Sequence, residues 1–255
     1  MNYNFNMNRF GRLFLKHTAE HYKSYLMSLA VLIGVLVLGG CFLVYMVEAR
    51  LDKNVQSALY MIMLFLAGTI FTSTVLADLG DRKKAVAWLT LPASHFEKYL
   101  VAWVYSLLIF LVVYTASFYL SAVFVVNIKQ FNGHSYGVLN IFDKWIFQIC
   151  LVYAFLHSVA LYGAIFFERL HFIKTAFVFF ISLTFLVIIN KIILGTLLGR
   201  AVESTPPFSN VRFSGSDQEV RVAEKLQEPY MIWLVTVLAV IFWIAAYWRL
   251  KEKQV

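Results

Sequence analysis

Charge is what this chain has least of. Asp, Glu, Lys and Arg make up 14% of its 255 residues, where soluble domains carry about 25%. With 61% of the residues hydrophobic, only a bilayer can act as the solvent for so much apolar surface, which excludes an ordinary soluble enzyme or binding module. Cysteine is nearly absent too. Cys41 and Cys150 fall in separate apolar runs, which excludes a disulfide framework. No Gly is followed by Lys, so the phosphate-cradling loop ending in Gly-Lys-Ser/Thr is missing. Any ATP energy must come from another polypeptide.

Ionisable groups are also missing from the middle of the apolar runs. Lys191 is the one charged residue well inside such a run, and it lies toward one end, where its long stem can snorkel to water. Ion-coupled transporters place acids or His chains near the midplane. Their absence argues against proton or sodium coupling and against an intramembrane hydrolase. Among the six His, His17 and His21 stand one helical turn apart and read as an interfacial pair, not a metal site. His157, next to Ser158, reads as a buried, hydrogen-bonded helix contact.

What the chain does have is long apolar runs, with a mean hydropathy of +0.73. A spanning helix needs about 20 apolar residues. Six runs qualify, near 25–47, 56–77, 99–126, 145–167, 172–198 and 230–248. They are continuous and do not alternate, so helices are expected and not a β-barrel. The expected fold is an all-α integral membrane protein, with residues 25–255 forming one six-helix domain.

Net charge is +8. With the N-terminus inside, Arg9, Arg12, Lys16, Arg82, Lys83, Lys84, Lys98, Arg249 and Lys251 all fall in inner segments. The outer loops hold fewer basic residues, balanced by acids. The positive-inside rule therefore puts both termini in the cytoplasm, and anionic lipid accounts for the bias without nucleic acid. The expected location is a bacterial inner membrane.

Residues 1–24 place Phe10, Leu13, Phe14, His17 and His21 at helical spacing, with Arg9, Arg12, Lys16 and Lys23 around the other side. This composition predicts a cytoplasmic interfacial helix. The longest outer segment, 199–229, carries Pro206-Pro207 and a capping-box spacing at Ser216-Asp217-Gln218-Glu219, which predicts a short outer helix over 217–227.

The connector between the second and third runs holds most of the remaining charge. Residues 81–88 read as a helix with Ala85, Trp88 and Leu89 on its apolar face. Arg82, Lys83 and Lys84 can pair with a partner's acids or with lipid phosphates. Leu91-Pro92 ends that helix. Ser94-His95-Phe96-Glu97 then forms a capping box for the third span. A short inner helix, a rigid corner and a capped span would make a lever. Span three is also the most polar, and Tyr105, Tyr114 and Ser117 are candidates for lining a substrate route or for bonding helices together.

Leu-Thr-Leu-Pro-Ala-Ser-His-Phe-Glu-Lys at 89–98 resembles the Leu-Pro-(Val/Ala)-Ser-x-x-Glu-Lys corner before the third span in membrane subunits of ABC-2 type transporters. The whole-chain plan is similar to that family as well. The resemblance implies an inner coupling helix between spans two and three that docks on a separate ATPase subunit. Asp81, Arg82, Lys83, Lys84, Trp88, Leu91, Pro92 and Glu97 would form that coupling region. It also implies a half-transporter: a permease that pairs with a second membrane subunit, same or homologous, and usually exports. ATP and Mg would sit on the partner ATPase, with no cofactor, metal or catalytic residue in this chain. The alternative is a non-transporting membrane assembly or regulatory protein using the same basic surface.

Overall fold

The structure, a computed structural model, describes residues 5–46, 52–76, 86, 90–128, 137–168, 170–205, 207, 209–215, 219–220 and 224–252, and side chains for all of these but 219, 220 and 224–228. Six long helices form it: α1 (Met7–Tyr45), α2 (Lys53–Val75), α3 (His95–Ile128), α4 (Lys144–Phe166), α5 (His171–Leu198) and α6 (Glu224–Glu252). All six are long and apolar enough to cross a membrane, which suggests an integral membrane protein of the all-α class. Three of their starts are chemically marked. The Asn6 side chain caps α1, Asp52 accepts from Val55 N–H to cap α2, and Ser94 caps α3. Such caps satisfy N–H groups that the first turn leaves without partners.

The helices alternate in direction. One end of the bundle gathers the starts of α1 and α3 and the ends of α2, α4 and α6, around Val75, Leu76, Tyr99, Tyr105, Leu161, Ala164 and Leu250. The other end is built on Tyr60, Leu64, Tyr114, Ile149 and Tyr153. There the buried Gln56 holds the segment before α4: its Nε2 donates to Gly137 O at 3.1 Å and its Oε1 accepts from Leu139 N at 2.9 Å. α4 is the central helix, packed against α6, α2 and α5.

Two glycines permit that packing. A Cβ on Gly68 of α2 would stand 2.3 Å from the Tyr153 ring, and one on Gly163 of α4 would stand 1.9 Å from Thr175 Oγ1. Between α4 and α5 the chain reverses with Leu170 in the left-handed region at φ 54°, a conformation costly for a branched side chain. α5 then ends at Gly199, also left-handed at φ 62°, as C-terminal caps favour. α5 buries none of its residues. Phe177, Phe180, Phe185 and Leu197 point outward, a surface that lipid solvates and water would not.

The segment expected as an interfacial helix is continuous with the first span: α1 runs from Met7 through Tyr45 for 39 residues, about 58 Å at 1.5 Å per residue. Over 217–227, where a short outer helix is expected, Glu219–Val220 is strand, paired antiparallel with Val211–Arg212, and Val202 bridges Phe213. Gly215 takes φ 78°. Helix runs from Glu224 through Pro229 to Glu252. Pro229 removes one backbone bond near the helix start, which spanning helices tolerate. Residues 216–218 and 221–223 lie outside the described residues.

Candidate functional site

The first turn of α3 carries a charged centre made from distant parts of the chain. Ser94 Oγ accepts from Glu97 N at 3.1 Å, and Ser94 N donates to Glu97 Oε2 at 2.9 Å, so the expected capping box is present. The second carboxylate oxygen is also engaged. Oε1 accepts from Asn6 N at 2.8 Å and from Arg9 Nη2 at 3.0 Å. Glu97 is fully buried, so three donors replace the water that its carboxylate has lost. The positive end of the α3 dipole adds to them.

Asn6 does double duty here. Its Oδ1 accepts from Asn8 N and Arg9 N to start α1, while its own N–H reaches Glu97. The two helix starts are therefore capped through one another. Phe5 packs on Phe10 and Phe96, and Phe96 packs edge-on against Tyr247 of α6. α1, α3 and α6 meet at this centre.

The sequence candidates around it divide. Asp81, Arg82, Lys83, Lys84 and Trp88 lie outside the described residues. Just before the corner, Thr90 N donates to Val86 O at 2.9 Å and Thr90 Oγ1 donates to the same carbonyl at 2.8 Å, a helical spacing. Leu91 is half-buried and Pro92 exposed. Ala93 N donates to Leu91 O at 2.7 Å, so the chain reverses tightly across Pro92 before α3 begins. Glu97 is placed as the anchor described above.

Tyr105, Tyr114 and Ser117 are all buried. Tyr105 shares a hydrogen bond with Thr18 Oγ1 and stacks on Phe14, joining α3 to α1. Tyr114 OH donates to Tyr60 O at 2.8 Å, joining α3 to α2. Ser117 Oγ donates to Val113 O within its own helix. All three hydroxyls are engaged in contacts of this kind.

A second polar centre lies deeper. Val104–Ile109 forms a π-helical turn inside α3, a distortion often found at functional positions. Ser106 of that turn meets His157 Nε2 at 2.8 Å, and Trp243 Nε1 donates to His157 Nδ1 at 3.1 Å. Indole N–H can only donate, so Nδ1 is an acceptor and the hydrogen sits on Nε2. The imidazole therefore donates to Ser106 Oγ, which donates to Ala102 O at 2.7 Å. Tyr153 OH donates to Ser106 O, and Tyr99 OH donates to Trp243 O. α3, α4 and α6 are cross-linked through one fully buried histidine. His157 fits the sequence reading of a hydrogen-bonded helix contact; its partners are Ser106 and Trp243, while Ser158 bonds Phe155 O. Neither these partners nor Arg9 and Asn6 carried a local signal, because each pairing depends on how distant helices stack.

Comparison with family models, with curated proteins and with solved structures gives no match.

Proposed function

We propose that this chain is the permease subunit of an ABC-2 type transporter, driven by a separate cytoplasmic ATPase that docks on the connector before α3. The observation that supports this reading is the Glu97 centre. The connector runs through the Leu91-Pro92 corner directly into a helix whose first turn is capped at both carboxylate oxygens and tied to the start of α1. A push on such a corner is passed to two helices at once and is not absorbed by a loose end.

In this reading both termini and the connector face the cytoplasm of a bacterial inner membrane. Arg82, Lys83 and Lys84 meet the ATPase, which carries ATP and Mg. A second membrane subunit completes the path, and cargo moves outward. Power from outside is consistent with a chain whose sequence has no Gly-Lys-Ser/Thr loop.

The test is a mild-detergent pull-down of tagged protein from its native cells, with the eluate assayed for ATP hydrolysis. The expected result is a stoichiometric nucleotide-binding partner that is lost with Arg82→Glu plus Lys83→Glu. A chain that comes down with a partner lacking ATPase activity would overturn the proposal in favour of a non-transporting assembly or regulatory protein.

A further inference from the structure

At the Glu97 end, a cavity of about 50 Å³ opens beneath α1. One water needs about 10–15 Å³ of such space, so the cavity is large enough for a small polyatomic group. Its floor is apolar, from Leu13, Val75, Leu76, Leu91, Val101 and Ala102. Its polar lining comes from Lys16, Lys98, His17, His21 and Glu20.

The positions of these groups matter more than their number. Lys98 is almost wholly buried on the first turns of α3, yet it borders the cavity. Lys16 stands 3.6 Å from Glu20 one turn away, and Lys98 interacts electrostatically with Glu97, its neighbour in sequence. The His17 and His21 rings pack 4.6 Å apart, and His17 Nε2 shares a 2.7 Å hydrogen bond with Tyr25 OH, which fixes the ring. Among the described residues no group of His, Cys, Asp or Glu could hold a metal ion. A cavity with cationic and N–H donors on one side and hydrocarbon on the other suits an anion attached to something apolar.

We propose that this cavity binds a phosphate group, with Lys98 and Lys16 as its cationic ligands and the His17–His21 pair as hydrogen-bond donors. The group could belong to the headgroup of an acidic phospholipid or to a soluble phosphate compound, and the apolar floor favours the lipid. The inference needs the helices to lie in a bilayer but does not need the transporter reading.

The test uses the full chain in nanodiscs of phosphatidylcholine containing about one-fifth phosphatidylglycerol, with native mass spectrometry to count retained lipids. In parallel, inorganic phosphate is titrated against thermal unfolding in detergent. Wild type should retain one phosphatidylglycerol per chain. Lys98→Gln and Lys16→Gln should each retain about tenfold less, as expected for one lost charge-assisted hydrogen bond. Lys16 is exposed, so its variant tests the site even where Lys98→Gln fails to fold. Preferential stabilisation of wild type by inorganic phosphate, without lipid retention, would support the site and assign it to a soluble ligand. Equal behaviour of wild type and folded Lys16→Gln towards both probes would overturn the proposal.

Discussion

The guanidinium of Arg9 lies 3.0 Å from the carboxylate of Glu97, 88 residues further along the chain, and the two residues start different helices. The pair is asymmetric. Glu97 is fully buried, while the Arg9 side chain is 35% exposed. Losing the carboxylate leaves Ser94 N, Asn6 N and the Arg9 guanidinium without their shared acceptor; losing the guanidinium removes one donor of three. Glu97→Ala should therefore destabilise by about 2–3 kcal/mol and Arg9→Met by about 1 kcal/mol, measured by unfolding in detergent. Glu97→Gln should behave more like Ala than its shape suggests. Donors meet both carboxylate oxygens, so the amide NH₂ faces a donor in either orientation. A Gln variant as stable as wild type would show that the centre does not hold the two helices together.

The His157 centre makes a spectroscopic prediction. Because Trp243 can only donate, the imidazole must be the Nε2–H tautomer, and ¹⁵N shifts of labelled histidine should show this form. Trp243→Phe removes the donor while keeping most of the ring packing. It should cost about 1 kcal/mol, the usual scale for hydrogen bonds between membrane helices, and should release the tautomer preference. Ser106→Ala should cost a similar amount. An Nδ1–H signal in wild type would contradict the arrangement.

Glycine positions separate packing from propensity. Gly68→Ala would drive a methyl into the fully buried Tyr153 ring, and Gly163→Ala would drive one into Thr175. Each should destabilise by about 1–3 kcal/mol, the range for overpacked cores. Gly34, in the middle of α1, has nothing within 4 Å of its missing Cβ. There Ala should be neutral or stabilising by about 0.5–1 kcal/mol, since only the helix preference remains. Thermal unfolding of the three variants side by side checks the ordering.

These centres also mark how much was legible in the sequence. Six apolar runs give six helices because hydropathy and run length are local properties. The Ser94–Glu97 capping box was legible for the same reason: donor and acceptor are three residues apart. The second use of Glu97, by Asn6 and Arg9, was not, because no local pattern distinguishes Arg9 from Arg12 as its partner. The continuity of α1 was not legible either: composition changes near residue 24, but a change of solvent need not break a helix. Within the expected outer helix over 217–227, Glu219–Val220 is strand, because its pairing with Val211–Arg212 depends on residues that local capping spacing does not see. For the connector, the chemistry of Arg82–Lys84 was readable in the sequence, and residues 81–84 lie outside the described residues.

The alternation of six helices makes the last prediction, on topology. Asn140, between α3 and α4, and Ser204, between α5 and α6, lie at one end of the bundle, while Glu252 ends the last turn of α6 at the other. All three are exposed. With Cys41 and Cys150 replaced by Ala, single cysteines at Asn140, Ser204 and Glu252 report the orientation directly. If the basic bias places both termini in the cytoplasm, a membrane-impermeant maleimide should label Asn140→Cys and Ser204→Cys in intact cells. Glu252→Cys should be labelled only after the membrane is opened. Labelling of Glu252→Cys alone in intact cells would invert the orientation. It would also put the connector before Pro92 outside, where no cytoplasmic ATPase could reach it, so this one measurement bears on the permease proposal before any partner has been found.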